Sequence, residues 1–275
     1  MKSISRNLTI KKNGQTKIKK FFVFNLLFFT LCMSSNVAYA GVAVNPTVTE
    51  ISVAPEETFQ GVYTVINTAD DEMIVTIEFV DWMEHYFKKE NDSDVNSWLT
   101  LEEKEVSLLP GAYKKIPYTV TVPLGIEEEQ VAQIFFEFKS KQHTQMMRTR
   151  LGVIFYLGIK GKEKLFSTIE KIVMKSNKNP DGTYNVQSTL VINNLGNVHI
   201  RPFGTVHIKN EDTSIGVIEI KPGKGIYPMT VDTIHGTVNN LELKTGTYEA
   251  LAEVNCGMYG IENTITKKIK FVIEG

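Results

Sequence analysis

The chain has 275 residues, of which 42% are hydrophobic, and a formal net charge of −1. Nucleic-acid binding depends on an excess of basic residues that neutralises phosphate, and this composition argues against it. The chain is long enough to bury more than one apolar core, so we expect a folded protein.

The first 40 residues have the pattern of a secretory signal peptide. Seven basic residues and no acidic residue accompany an apolar run at positions 21–33, and Ala38-Tyr39-Ala40 is a small-x-small cleavage site. The run has about 13 residues, fewer than the roughly 20 needed to span a bilayer. We therefore predict a signal peptide at 1–40, cut after Ala40, and a mature chain that is periplasmic or secreted.

Cleavage changes the charge and the cysteine count. The mature chain keeps 23 basic residues against 31 acidic ones, a net charge of −8, which disfavours docking on anionic lipid. Cys256 is the one cysteine left, so no internal disulfide can form. We predict that Cys256 is a small buried hydrophobe.

In the first half of the mature chain, segments rich in Val, Ile, Thr, Phe and Tyr alternate with turn residues, which is typical of β-sandwiches. The predicted strands are 59–67, 74–82, 113–122, 131–139 and 151–160. The charged segment 84–96 and the polar segment 139–150 are predicted loops, and Trp98-Leu99 is predicted to return to the core.

The second half repeats this pattern. The predicted strands are 184–193, 198–209, 215–220, 230–241, 248–255 and 264–273. Val65-Ile66-Asn67-Thr68 and Val191-Ile192-Asn193-Asn194 are similar, and asparagine can bond to its own backbone in the turn that ends a strand. We predict an all-β fold of two tandem immunoglobulin-like β-sandwich domains, at 41–161 and 162–275, after the signal peptide.

The segment 151–160 is apolar on both sides of the predicted strand. Alternation places five side chains on one side, Leu151, Val153, Phe155, Leu157 and Ile159, and four on the other, Gly152, Ile154, Tyr156 and Gly158. Either both sides are buried, or one side is open to a partner. The sequence leaves both alternatives standing.

The residue types that carry catalysis are present, but not in a recognised pattern. His199 and His207 lie eight apart on a predicted strand and would face the same side, where a structural or surface role is favoured over a metal site. The acidic run Glu127-Glu128-Glu129 is predicted to be a solvated loop. We expect a protein that is not an enzyme and that uses no metal or cofactor.

Several of these features, in the same order, make the chain resemble the periplasmic pilus-assembly chaperones of the PapD type. They are a first strand after Gly41-Val42-Ala43-Val44, the strand end Val65-x-Asn67, the turn Leu109-Pro110-Gly111, the strand Phe135-Phe136-Glu137-Phe138, and a long loop before an apolar last strand. The resemblance implies two immunoglobulin-like domains in a protein that lends its last first-domain strand to a pilin-like or surface subunit lacking a strand.

The same resemblance implies which residues bind the partner. The alternate set Leu151, Val153, Phe155, Leu157 and Ile159 would form the partner surface. The family also anchors the subunit's terminal carboxylate with an arginine in the first strand and a lysine after the last one. The predicted first strand, 42–53, contains no arginine, whereas Lys160 and Lys162 are candidates for the lysine.

A second resemblance competes with the first. Arg150-Leu151-Gly152 and the segment Asn193-x-x-Gly196-Asn197-x-His199-x-x-Pro202-x-Gly204 are similar to the surface-protein family found with WxL proteins. That family implies tandem β-sandwiches that act as surface adhesins or bind peptidoglycan, and it usually ends in a membrane-spanning helix. Here a predicted strand ends the sequence, which favours the chaperone-like reading.

Overall fold

A computed structural model describes residues 41–81, 95–142, 148–211 and 213–274. These ranges contain sixteen strands and one short helix, so the chain is all-β, as predicted. The strands are β1 Val42–Asn45, β2 Val48–Val53, β3 Thr58–Asn67, β4 Met73–Asp81, β5 Leu99–Leu101, β6 Glu105–Leu108, β7 Tyr113–Thr121, β8 Gln130–Ser140, β9 Arg148–Ile159, β10 Ser167–Lys178, β11 Tyr184–Asn194, β12 Phe203–Asn210, β13 Thr213–Ile220, β14 Thr230–Leu241, β15 Gly246–Asn255 and β16 Thr264–Ile273. The helix, α1, spans Val95–Trp98.

Strands β1–β9 form the first sandwich. One sheet has the order β1-β3-β7-β5 and the other the order β2-β9-β8-β4-β6. Alternate residues of each strand point between the sheets, which is why buried and partly buried positions alternate along most of β8. The apolar core is rich in aromatic rings: Tyr63 stacks on Tyr118 at 4.9 Å between ring centres, and Phe136 meets Tyr63 edge-on.

Strands β10–β16 form the second sandwich. Its sheets have the orders β10-β11-β14 and β13-β12-β15-β16. In the described residues, no strand of this sandwich pairs with a strand of the first, and the two buried clusters are separate. This confirms the two-sandwich fold class. The boundary at residues 161 and 162 stays a prediction, and the signal peptide at 1–40 lies outside the described residues.

The predicted first strand is two strands that belong to different sheets. β1 pairs with β3 in antiparallel register, whereas β2 pairs with β9 in parallel register. Pro46 lies between them, and proline has no N–H to continue a ladder. The chain therefore crosses from one sheet to the other, and β2 covers part of β9.

Other strand bounds also differ from the prediction. The segment 198–202 is not a strand, because Pro202 interrupts it and β12 begins at Phe203. β10 was not predicted at all. The polar segment before 151 is a strand from Arg148 onward. Trp82, most of the predicted loop 84–96 and Met146-Met147 lie outside the described residues.

Two asparagines end corresponding strands of the two sandwiches in the same way. The Asn67 side chain accepts a bond from the Ala69 N–H and donates to the Leu108 carbonyl. In the second sandwich Asn194, not Asn193, has this role, since it accepts from the Gly196 N–H and donates to the Val198 carbonyl. The predicted repeat is therefore present but shifted by one residue.

Two further findings concern single features. Cys256 is fully buried, which confirms the prediction of a small buried hydrophobe. Within the described ranges, no helix has the length and apolar character needed to cross a membrane.

Candidate functional site

Strand β9 has two halves with different neighbours. Its second half, from Ile154 to Ile159, pairs with β2 along its whole length and with β8 as far as Leu157. Its first half, from Arg148 to Val153, pairs with β8 alone, because β2 begins opposite Ile154. Among the described residues, the first half of β9 is therefore an open sheet edge.

The backbone direction along β9 follows from two hydrogen bonds toward β2. The Ile154 N–H donates to the Thr47 carbonyl at 3.3 Å, and the Lys160 N–H donates to the Val53 carbonyl at 3.0 Å. In an antiparallel pair, successive residues direct their N–H and C=O groups to opposite sides. The main-chain groups of the even-numbered residues Arg148, Arg150 and Gly152 therefore point to the open side.

The alternate set that the sequence assigned to a partner faces the core instead. Val153, Phe155, Leu157 and Ile159 are each at most 1% exposed, and Leu151 is half-buried against the same core. This side of β9 is therefore buried in the first sandwich and does not form an exposed apolar face. These residues fix the strand in the sandwich, and a partner-binding role for them stays a prediction.

The outer face of the open half carries charged and small residues. Arg150 donates to Glu78 at 2.5 Å and lies over the Phe135 ring, with its guanidinium carbon 3.7 Å from the ring centre. Arg148 donates to Glu137 at 3.2 Å, and Gly152 is exposed. Charged side chains on an edge strand oppose indiscriminate strand pairing.

The outer face of the second half is covered by the second sandwich. The Tyr156 ring is 1% exposed and stacks on the His199 ring at 3.7 Å between centres. Gly158 lies against the Tyr259 ring, since a Cβ atom there would come within 2.7 Å of a ring carbon. The segment is apolar on both sides because one side packs the core and the other packs the second sandwich.

His199 and Glu129 form the buried centre of this contact. The Nδ1 atom of His199 lies 2.7 Å from Glu129 Oε1, and the His199 backbone N–H donates to Glu129 Oε2 at 2.8 Å. Tyr259 donates its hydroxyl to the same carboxylate at 2.5 Å. Side-chain exposure is 0% for His199 and 1% for Glu129, so both polar groups depend on these bonds.

Glu50 of β2 extends the cluster toward solvent. Its Oε1 atom lies 3.1 Å from His199 Nε2 and accepts a hydrogen bond from Arg201 Nε. Burial alone would raise the pKa of Glu50, but the bonds to His199 and Arg201 outweigh it and lower the pKa to about 2. Burial alone would lower the pKa of His199, yet the bonds to Glu129 and Glu50 raise it above the ordinary 6.5.

Two tyrosines complete the contact as neutral hydrogen-bonding groups. Burial raises the pKa of Tyr259, and the Glu129 carboxylate raises it further. Burial likewise raises the pKa of Tyr227, whose hydroxyl is 3.2 Å from that of Tyr156. Both phenols therefore keep their protons across the physiological range.

The candidate carboxylate anchors lie at the far end of β9. The Lys160 side chain is exposed, and its backbone N–H is bonded to β2. Lys162 donates to Glu127 at 3.0 Å on the surface. Seven residues separate Lys160 from Val153, or about 23 Å along a strand, so the anchors and the open edge are not together.

The sequence did not predict the buried contact. Glu127 and Glu128 are exposed, as expected for a solvated loop, but that expectation was wrong for Glu129. His199 does not share a strand face with His207, because only His207 lies on β12. Glu129 and His199 are 70 positions apart, so no local pattern joins them. The described residues contain no group of three or more His, Cys, Asp and Glu that could hold a metal ion.

A cleft of about 570 Å³ lies beside the contact. Glu128, Glu129 and Val131 line it from the first sandwich, and Leu195, Tyr227 and Met229 from the second. Met229 is 73% exposed at its rim.

The chain was compared with known proteins in three ways. No family model and no curated protein matches it. Among solved structures it is similar to the YadV chaperone, with 10% identity, 84% of this chain and 100% of that one covered, and a TM-score of 0.43. The class 5 fimbriae chaperone CfaA has 15% identity and a TM-score of 0.44, with 82% of this chain and 98% of that one covered. The Pseudomonas aeruginosa chaperone CupB2 has 12% identity and a TM-score of 0.41, again with 82% of this chain and 98% of that one covered. These are chaperones of the class that the sequence resembles, and the likeness by itself assigns no function.

Proposed function

We propose that this chain is a non-catalytic, exported, chaperone-like protein that binds an extended or strand-deficient protein partner by β-strand addition. The observation that carries the proposal is the open main-chain edge at Arg148–Val153. A strand added there would bond to the N–H and C=O groups of Arg148, Arg150 and Gly152. Strand addition gives affinity through such main-chain bonds and specificity through side-chain pockets.

Six other sheet edges in the described residues, those of β5, β6, β10, β13, β14 and β16, are less suited to receive a strand. In the second sandwich, β10 packs against β16 and β13 packs against β14, so the edges of its two sheets cover one another. Lys267 of β16 also donates to the backbone carbonyls of Ile169 and Glu170 on β10. In the first sandwich, β5 and β6 have only three and four residues, and short edge strands pair poorly.

The position of β2 prepares the open edge for a partner. β2 already pairs with the second half of β9, so the added strand would continue the line of β2 along the same side. The buried side chains of Val153 and Phe155 hold β9 in place and reduce the ordering that binding would require. The proposed contact is therefore the main chain at 148–153 with Leu151 beneath it, and it does not include Lys160 or Lys162.

The experiment compares two substitutions at Arg150. Arg150→Pro removes an N–H that points to the open side, whereas Arg150→Ala removes the side chain and keeps the N–H. Each mature variant and the wild type is immobilised and exposed to envelope proteins of the source organism, and any captured protein is purified and added back. We expect capture by the wild type and by Arg150→Ala, and loss of capture with Arg150→Pro.

Hydrogen exchange on the repurified complex decides whether the edge is the contact. The Arg150 and Gly152 amides should become protected when the partner is bound. Equal binding to the wild type and to Arg150→Pro, with both amides still exchanging freely, would contradict the proposal. Sedimentation with peptidoglycan sacculi tests the alternative of a wall-binding module, and co-sedimentation without any captured protein would favour that alternative.

A further inference from the structure

His199 is the one histidine in the described residues whose side chain is fully buried, and it lies where the two sandwiches meet. Its ring bonds to Glu129 through Nδ1 and to Glu50 through Nε2. Both nitrogens can donate only when the ring is the charged imidazolium. These two hydrogen bonds to carboxylates therefore require the protonated form of the His199 ring.

We propose that His199 is a pH-dependent latch, which holds the second sandwich against the outer face of β9 while its ring is protonated and loosens that contact when the ring loses its proton. The two carboxylates belong to the first sandwich, whereas His199 lies between β11 and β12 of the second. The latch therefore joins the two sandwiches directly. The inference does not depend on the proposed function, because it concerns no partner.

Deprotonation removes one of the two ring bonds. The neutral ring keeps its Nδ1 proton for Glu129, so Nε2 becomes an acceptor that faces the Glu50 carboxylate at 3.1 Å. Two acceptors at that distance repel. Arg201 stays bonded to Glu50, so the contact loosens without the whole cluster separating.

Every element packed against His199 contributes to this balance, including the segment between β13 and β14, where Gly225 lies against the ring and the Tyr227 hydroxyl lies 3.2 Å from that of Tyr156. β2 supplies Glu50, the residue before β8 supplies Glu129, and β9 supplies the stacked ring of Tyr156. The segment after β15 supplies Tyr259, which meets the ring edge-on. Arg201 is a further cation of the cluster: it bonds to Glu50, and its guanidinium carbon lies 5.4 Å from the centre of the Tyr156 ring that stacks on His199.

The direction of the pH effect follows from the raised pKa of His199. A group whose pKa is higher in the folded protein than in the unfolded chain contributes stability that is complete below the unfolded value of about 6.5. That contribution is lost as the pH rises through the folded value. The contact should therefore be tight below about pH 6.5 and looser once the pH has risen above the raised pKa of His199.

The test uses the mature chain and measures two quantities separately: the protonation of the His199 ring and the distance between the two sandwiches. Nuclear magnetic resonance of the imidazole nitrogens follows the protonation of His199 from pH 6 to pH 10. Spin labels at Glu105→Cys and Glu242→Cys, both exposed positions on different sandwiches, report the spread of distances between the sandwiches. We expect a narrow distribution at pH 6 that broadens over the range in which His199 titrates.

Three variants make the result specific. His199→Gln should show the broad distribution at every pH, and His207→Gln, a histidine outside the contact, should behave as the wild type. If His199→Gln does not fold, Glu50→Gln removes the negative charge that faces Nε2 and Arg201 while keeping an acceptor oxygen, and it should move the broadening to lower pH. A distribution that stays narrow through the titration of His199, or titration of the ring below its ordinary pKa, would overturn the proposal.

Discussion

The two halves of β9 differ in their strand pairing and in the burial of their side chains. The second half is paired on both sides from Ile154 to Leu157, and its side chains are buried by the core on one face and by the second sandwich on the other. The first half is paired on one side only and carries exposed arginines. A single apolar-looking segment can therefore combine a rigid anchor with an open edge, and the difference lies in its neighbours rather than in its own composition.

Truncating one leucine to alanine in each half of β9 should give the largest difference in the free energy of unfolding. Leu157 is fully buried, so Leu157→Ala should lower the free energy of unfolding by about 3–5 kcal/mol through lost burial and a residual cavity. Leu151 is half-buried, and Leu151→Ala should cost about 1–2 kcal/mol. Urea denaturation of both variants measures this, and equal losses would mean that the first half is packed as tightly as the second.

Two arginines, Arg150 on the first half of β9 and Arg201 of the second sandwich beside the second half, give the next contrast. Arg201 bonds to Glu50 and to the Gly223 carbonyl beside Tyr156, so Arg201→Ala should cost about 1.5–3 kcal/mol. Arg150 forms an exposed ion pair with Glu78, and Arg150→Ala should cost about 1 kcal/mol or less. The check is urea denaturation at low and at high salt, where a larger loss for Arg150→Ala would refute the contrast.

The two glycines of β9 sharpen the comparison further. In Gly158→Ala the new methyl group would meet the ring of Tyr259, which Glu129 holds in place, and we expect a loss of about 1–2 kcal/mol. In Gly152→Ala it would meet the amide end of the Gln133 side chain, which can rotate away, and lie 3.2 Å from the edge of the Phe135 ring, and we expect a smaller loss of about 0.5–1 kcal/mol. Thermal unfolding of the pair provides the measurement, and the opposite order would show that the second sandwich does not press on β9.

The smallest effect is expected from Glu50 in acid. Its pKa is lowered to about 2 from an ordinary 4.5, so its contribution is present above pH 4.5 and is lost as the pH falls toward 2. Solvent screens this partly exposed carboxylate, and the loss should be about 1 kcal/mol. The stability gap between wild type and Glu50→Gln should close over this window, and a gap that is constant with pH would contradict the assignment.

The sequence predicted the fold well where strands are long and regular. The bounds of β14 and β16 agree with the prediction at both ends, and both strands are rich in Thr, Val and Ile, residue types that favour strands. β10 escaped prediction, since lysines and serines break up its apolar residues. The sheet crossing at Pro46 also escaped it, because a strand's sheet is set by pairings distant in sequence.

The site was harder to predict than the fold. The apolar character of 151–160 correctly marked an important strand, but composition could not say which face meets the core and which meets a second domain. Glu129 looked like part of a solvated acidic run, and only the position of His199 in space makes it a buried partner. Such contacts depend on tertiary structure, which no local pattern records.

Amide hydrogen exchange along β9 of the free mature protein tests the central claim most directly. The Arg150 and Gly152 amides point to the open side and should exchange far faster than the Tyr156 and Gly158 amides, which point toward β2. The Thr149 and Leu151 amides, which face β8, should be protected and so serve as internal controls. If the Arg150 and Gly152 amides were protected as well as those of Tyr156 and Gly158, the edge would be closed and the account of β9 would be wrong.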